Sequence, residues 1–215
     1  MVRKFILSDV LRVAWKGYVS QIWILSGLII GYVTICFALF LFIPSPEQGT
    51  MSVATITILL ISLVLTLLFS LGYTQNIFQA LDGEEPQFFA YGQQSRKIFT
   101  WLFAGLIYSV IVIIGLALLI IPGFYLAIRL HFFYLSIVEE DTGVLDSLKR
   151  SWKITKGQEV PLLFLLLVVI GFAVLGTAFC IIGIFVTSPI VCLMYCYVFR
   201  KLTAFNTEEI NLNSD

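Results

Sequence analysis

Long uninterrupted apolar runs alternate with short polar segments along this chain, and their lengths predict its fold. Two runs, at 22–43 and 51–73, are each long enough for one helix that spans a membrane. Two longer runs, 98–138 and 161–202, would each reach about 60 Å as a single helix, twice the thickness of the hydrocarbon. Each longer run must therefore fold back once. The pattern predicts an all-α integral membrane protein whose six transmembrane helices form three hairpins.

Proline and glycine residues mark where the chain is expected to turn. The first turn is predicted at Pro44–Gly49, and the second hairpin is expected to bend at Ile121-Pro122-Gly123. The third bend is expected between Gly176 and Gly183, with Pro189 as the alternative breaker. The resulting spans, within a single domain over 1–215, are about 22–43, 51–73, 98–121, 123–138, 161–180 and 184–202.

The composition agrees with a membrane protein and excludes a soluble one. Of the 215 residues, 60% are hydrophobic and 12% are charged, about half the charged fraction of soluble domains. The mean hydropathy is +1.00, and the formal net charge of +0 gives no support to nucleic-acid binding. The first apolar run is too long for a cleavable signal sequence, so it is interpreted as a retained span.

The cysteines give no sign of a disulfide framework or a metal site. All four lie within or beside apolar runs, unlike the cysteines of secreted disulfide-rich domains. Cys192 and Cys196 share a helix face and could in principle hold a metal, but packing is the favoured role. No cofactor and no metal are therefore predicted.

The distribution of basic residues predicts the orientation in the membrane. Of the thirteen Lys and Arg residues, twelve precede the first span, lie in the two long polar segments or close the last apolar run. By the positive-inside rule, both termini and both long segments are expected in the cytoplasm, an N-in, C-in topology. The twelve are Arg3, Lys4, Arg12, Lys16, Arg96, Lys97, Lys149, Arg150, Lys153, Lys156, Arg200 and Lys201.

A repeated segment precedes two of the predicted hairpins. Residues 9–16 and 146–153 both match the pattern D-x-L-[KR]-x-[AS]-W-K, and a looser third copy occupies 88–97. Amphipathic helices that lie in the membrane interface are therefore predicted at about 3–18 and 143–156.

These interfacial helices are expected to contact anionic headgroups on the cytoplasmic side. In the second copy, Val144, Leu145, Leu148 and Trp152 are predicted to form an apolar face opposite the charged residues. A tryptophan at headgroup depth with basic residues beside it is typical of such helices. The predicted lipid contacts are Arg12, Trp15, Lys16, Lys149, Arg150, Trp152 and Lys153.

Three sequence blocks carry a resemblance to a known family. They are Ile121–Leu130 (IPGFYLAIRL), Val138–Gly143 (VEEDTG) and Leu148–Gly157 (LKRSWKITKG). Together they resemble the YciC-like family of bacterial polytopic membrane proteins, which is similar to the membrane domain fused to some glycerophosphoryl diester phosphodiesterases. The resemblance implies a multi-pass protein of the bacterial inner membrane. It implies no activity, because the phosphodiesterase domain has no counterpart in this chain.

Arg129 is the only basic residue inside a predicted span, seven positions after Pro122 and so about 10 Å along the helix. A charge at that depth costs about 2.5–3.5 kcal/mol on insertion scales, so it is expected to face protein or water. One interpretation is a site for an anionic ligand or lipid headgroup, for which His131 is the second candidate residue. The alternative, weighted more heavily, is an Arg that caps backbone carbonyls and fixes its helix against neighbours.

His131, the only histidine, is about 200° around the helix from Arg129, so the two side chains are expected to point apart. A proton-relay role is one hypothesis, and a packed or hydrogen-bonding histidine is favoured. Gly27 and Gly31 form a GxxxG motif, which predicts either a dimer face or a close contact within the chain.

These observations favour a non-enzymatic scaffold, an accessory subunit or a lipid-interacting protein, with a membrane-protein partner or a homo-oligomer as possibilities. The alternative is a small transporter or channel for an anionic solute, since a Pro-interrupted helix in a repeated fold can mark a binding site. An enzyme is least expected, because no acidic residue lies inside the spans and the single histidine has no nucleophile beside it.

Overall fold

The structure is a computed structural model that describes residues 5–43, 52–87, 89–178 and 180–212. The described residues form α-helices and one short 3₁₀ segment, Ser95–Lys97, and include no β-strand. The predicted turn at Pro44–Gly49, together with Arg3 and Lys4, lies outside the described residues. The helices are α1 (Leu7–Ser20), α2 (Ile22–Leu41), α3 (Val53–Asp82), α4 (Phe89–Gln94), α5 (Ile98–Leu118), α6 (Ile120–Leu130), α7 (Phe133–Glu140), α8 (Val144–Ile154), α9 (Glu159–Ala178) and α10 (Cys180–Leu212).

Six helical stretches are long and apolar enough to cross a membrane, which is the number that the sequence predicts. They are Ile22–Leu41, Val53–Asp82, Tyr91–Leu118, Ile120–Glu140, Glu159–Ala178 and Phe185–Thr207.

Helix α3 continues to Asp82, beyond the apolar run that ends at residue 73 and close to Leu81, to which the sequence allows the helix to extend. Ser52 caps its start, since the Thr55 backbone N–H donates to the Ser52 hydroxyl at 3.2 Å. Its end is set by Gly83, which adopts the left-handed conformation (φ 80°) that glycine tolerates best. The polar residues of the last turns therefore belong to the helix, and the apolar run alone underestimates its length.

The bend between α5 and α6 lies at Leu119, not at the predicted corner Ile121-Pro122-Gly123. Leu119 is the only residue between the two helices, with extended backbone (φ −156°, ψ 136°). Pro122 is instead in the first turn of α6, where a missing backbone N–H breaks no helical hydrogen bond. Gly123 allows the close approach of the two helices, because a Cβ there would lie 2.5 Å from the Leu116 nitrogen.

Two further breaks differ from or refine the expectations. The predicted span at 123–138 is interrupted at His131 and Phe132, between α6 and α7. In the last apolar run, α9 ends at Ala178 and α10 begins at Cys180, so the break falls within the expected interval. Pro189, the alternative breaker, lies inside the continuous helix α10.

Helix α10 provides much of the core, in which Leu193, Met194, Val198 and Leu202 have no exposed surface. It packs against α1, α2, α3, α8 and α9. A second, smaller cluster joins α5, α6, α7 and α8 through residues that include Ala104. Helices α1 and α8 are therefore both held against the bundle along one face.

Candidate functional site

The two copies of the repeated segment share the same class of burial at seven of their eight positions; at the third, Leu11 is half-buried and Leu148 is buried. The second and sixth positions are fully buried in both, as Val10 and Ala14 in α1 and as Ser147 and Ser151 in α8. The tryptophans remain exposed, Trp15 by 57% and Trp152 by 39%. The other exposed pairs are Asp9 with Asp146, Arg12 with Lys149, and Lys16 with Lys153. Each helix thus presents a tryptophan and two basic residues on its free side; we call these the two basic–aromatic faces.

The buried face of α8 differs from the predicted apolar face. Leu148 is buried within the protein, but Leu145 is 58% exposed, whereas the small residues Ser147 and Ser151 are fully buried. Their hydroxyls are satisfied inside the protein, because Ser147 donates to the Val144 carbonyl at 2.8 Å and Ser151 to that of Arg129 at 2.7 Å. Small hydroxyl residues allow close helix contacts, so hydrophobicity alone does not identify this face.

Arg150, one of the predicted lipid contacts, lies in an ion pair inside the protein. Its guanidinium nitrogens donate to both carboxylate oxygens of Glu140, at 2.7–3.2 Å. The side chains of both residues are about three-quarters buried. This bidentate pair fastens α8 to the end of α7.

Arg129 is 4% exposed, and all three of its guanidinium nitrogens have partners within the protein. They donate to the Trp152 carbonyl at 2.6 Å, the Tyr125 hydroxyl at 2.7 Å and the Thr155 hydroxyl at 3.3 Å. The guanidinium carbon also lies 3.8 Å from the centroid of the Trp152 ring, a close cation–π contact. The arrangement matches the interpretation that Arg129 caps backbone carbonyls.

The contact between α6 and α8 is reciprocal. Arg129 binds the carbonyl of Trp152, in the last turn of α8, where a cation is favoured by the helix dipole. In return, the Ser151 hydroxyl donates to the Arg129 carbonyl at 2.7 Å, while the shortest contact of the Thr155 hydroxyl is to the Ser151 carbonyl, at 2.7 Å. The Arg129 carbonyl is in the last turn of α6, where helical partners are missing. Each helix therefore provides a hydrogen-bond donor to a backbone carbonyl in the last turn of the other.

Glu159 gives Arg129 a nearby carboxylate that the sequence interpretation missed. Its Oε1 is 3.6 Å from the guanidinium and accepts from the Gly157 backbone N–H at 3.2 Å. Glu159 is the first residue of α9, whereas the sequence places it in a polar segment outside the spans. An acidic residue in the first turn of a helix was the available signal.

Arg200 forms a second junction that the sequence did not reveal. It donates to both carboxylate oxygens of Asp82, at the end of α3, and to Glu139 on α7. It also lies over the Phe78 ring, 5.1 Å from the centroid. Arg200 therefore joins α3, α7 and α10, although its position in the sequence indicated only membrane orientation.

His131 lies apart from the partners of Arg129, as its position on the helix predicts. Its ring contacts Tyr195 on α10, with centroids 4.8 Å apart, and both residues line a cavity of about 200 Å³. Arg129 does not line this cavity. The two residues of the candidate anion site are thus in different environments. Across the described part of the chain, no three His, Cys, Asp or Glu side chains lie close enough to hold a metal.

The fold indicates the general class to which this protein belongs. The described residues are all-helical, and the six long apolar helices are compatible with a multi-pass membrane protein.

The chain belongs to the family described as a domain of unknown function, DUF7847, which matches residues 89–213. The matched region includes α8 and the Arg129 contacts but not α1. No curated protein and no solved structure matches the chain. The match to this family gives no support to the resemblance to YciC-like proteins, which stays a prediction.

Proposed function

We propose that this chain is a non-enzymatic protein of the bacterial inner membrane that binds anionic lipids through α1 and α8 and acts as a scaffold or accessory subunit. In this proposal the six apolar helices cross the membrane as three hairpins, with both termini in the cytoplasm. The positive-inside distribution of Lys and Arg supports that topology. A membrane-protein partner or a second copy of the chain would complete the assembly.

The observation that carries the proposal is the matching burial of the two repeated segments. Two helices at distant positions in the chain expose equivalent residues, Arg12, Trp15 and Lys16 in one and Lys149, Trp152 and Lys153 in the other. Exposed tryptophan beside basic residues is the arrangement that favours anionic headgroups, each basic residue adding about 1 kcal/mol. Arg150 is left out of this surface, because Glu140 binds it.

A lipid titration tests the proposal. The full chain in neutral detergent would be titrated with phosphatidylglycerol and with phosphatidylcholine, and the bound lipids counted by native mass spectrometry. We expect the double variant Lys149→Gln/Lys153→Gln to weaken phosphatidylglycerol binding at least tenfold, because two exposed charges are lost.

The matched control is Arg96→Gln/Lys201→Gln, which removes two exposed basic residues outside the basic–aromatic faces. We expect it to weaken binding less than threefold. An equal loss in both double variants would mean that total charge, and not α1 and α8, governs lipid binding.

The second candidate, transport of an anionic solute, is favoured by the interruption between α6 and α7 and by Pro189 within α10. Arg129 argues against it, since each guanidinium nitrogen is already bonded within the protein. Anion flux into liposomes that disappears with Arg129→Leu, in a variant that stays folded, would favour transport over the lipid-binding proposal.

A further inference from the structure

A cavity of about 200 Å³ lies between α5, α6, α9 and α10, beside the interruption of the fourth apolar stretch. His131, at that interruption, forms part of its wall, and Tyr195 of α10 forms another part. It is separate from the basic–aromatic faces and from the contacts of Arg129. Nothing in the lipid-binding proposal uses this cavity.

Half of the residues that line the cavity carry rings. They are Tyr108, Phe124, His131, Phe132 and Tyr195, and aliphatic residues complete the wall. The rings of Tyr195, His131 and Phe132 contact one another, with centroids 4.8 Å (Tyr195–His131), 5.9 Å (Tyr195–Phe132) and 6.2 Å (His131–Phe132) apart. Among the residues that the structure describes, no Asp, Glu, Lys or Arg lines the cavity. A wall of rings without formal charge favours a flat, uncharged ring as the ligand.

Two of these side chains have hydrogen-bonding groups that remain available. Within the described residues, neither the His131 imidazole nor the Tyr195 hydroxyl makes a hydrogen bond, and both side chains keep part of their surface accessible. The Tyr108 hydroxyl has only a long bond, 3.4 Å, to the Ala127 carbonyl. Polar groups without partners are costly in an apolar environment, and oxygen atoms on a ligand ring would satisfy them.

The volume sets the size of the ligand. An engineered apolar cavity of about 150 Å³ binds benzene, so a cavity of this volume accommodates one six-membered ring with small substituents. Phe124 lines the cavity and is 54% exposed, so the cavity reaches the outer surface of the helices at that point. In the predicted topology this surface faces lipid, which gives an attached hydrocarbon tail a path into the bilayer.

We propose that this cavity binds a lipid-soluble molecule whose headgroup is a single uncharged ring with oxygen substituents, the chemistry of a quinone. The ring lies among the five aromatic side chains, and its oxygens accept hydrogen bonds from His131 and Tyr195. The tail passes Phe124 into the membrane. This binding does not depend on α1 or α8, so its test and the test of the lipid-binding proposal have independent outcomes.

The test uses the full chain in phosphatidylcholine nanodiscs, with decylubiquinone as the probe and bound probe measured by native mass spectrometry. We expect saturable binding of one molecule per chain. Tyr195→Phe and His131→Phe each leave an aromatic ring at the position and remove a hydrogen-bonding group. Each should therefore weaken binding about three- to tenfold. Ala127→Phe fills the cavity and should weaken binding more than tenfold.

Tyr197→Phe is the matched control, because it removes a hydroxyl from the same helix outside the cavity; we expect a change below twofold. Thermal unfolding checks that each variant is folded. If Ala127→Phe does not fold, the affinity of Tyr195→Phe for the probe tests the proposal. Non-saturable partitioning, or saturable binding that Tyr195→Phe leaves unchanged, would overturn the proposal. Equal affinity for a ring of the same size that carries a carboxylate would also overturn it.

Discussion

Arg129 shows how a single charged residue can be accommodated among apolar helices without a ligand. The guanidinium lies between the Trp152 ring and three hydrogen-bond acceptors, with the Glu159 carboxylate 3.6 Å away. Burial of a charge is expensive unless it is paired and hydrogen-bonded, and both conditions are met. The sequence identifies Arg129 as unusual. Its partners outside α6, at the end of α8 and the start of α9, are decided by the fold.

We expect Arg129→Met to destabilise the protein by about 1–3 kcal/mol, because the Trp152 carbonyl and the Tyr125 hydroxyl lose a charged donor. In a chain of this length, that loss corresponds to a fall in Tm of roughly 2–12 °C. Thermal unfolding in detergent measures it. Lys149→Met is the control, because the Lys149 side chain is 77% exposed and should leave Tm unchanged. An unchanged Tm for Arg129→Met would restore the anion-site interpretation.

At the scale of the helix, small residues are more important than helix-breaking residues at the junction of α5 and α6. Leu119 alone separates the two helices, and Pro122 continues α6. A Cβ on Gly115 would lie 3.0 Å from the Gly123 Cα. The sequence therefore locates the junction of α5 and α6 within a few residues, but it misplaces the bend, because proline is tolerated in a first helical turn.

Gly123→Ala is expected to destabilise this hairpin, since its Cβ would lie 2.5 Å from a backbone nitrogen that cannot move independently. The expected cost is about 1–3 kcal/mol, measured as a lower Tm. Gly171→Ala provides the comparison: nothing lies within 4 Å of its Cβ, and alanine favours helix over glycine by up to about 1 kcal/mol. The two variants should therefore shift Tm in opposite directions. A rise in Tm with Gly123→Ala would contradict the close approach.

At the scale of the whole molecule, ion pairs join the ends of several helices. Arg200 connects α10 with Asp82 of α3 and Glu139 of α7, and Arg150 connects α8 with Glu140. The three carboxylates lie at the ends of α3 and α7, and the two arginines reach them from within α8 and α10. All of them are on the side that the basic residues of the sequence predict to be cytoplasmic. Some of the basic residues from which the orientation is predicted thus also form ion pairs that hold the helices together.

The predicted topology has a direct test. A reporter that fluoresces only in the cytoplasm, fused after Asp215, should be active, because the C-terminus is predicted to be inside. A reporter that is active only outside the cytoplasm should be inactive at the same position. The reverse pattern would reject the N-in, C-in topology while leaving the helical fold intact.

The sequence alone determined the number of long apolar helices and their approximate bounds, because the thickness of a membrane fixes how much apolar chain one helix requires. The pattern of residues 9–16 also recurs at 146–153, and from it the sequence predicts an internal repeat. The tertiary structure decided which polar groups meet. Ser151, Glu159 and Arg200 find their partners on helices distant in sequence, and no local pattern of hydrophobicity encodes such contacts. It likewise decided that His131 lines a cavity while Arg129, two residues earlier, binds α8, because only packing determines what each helix face meets.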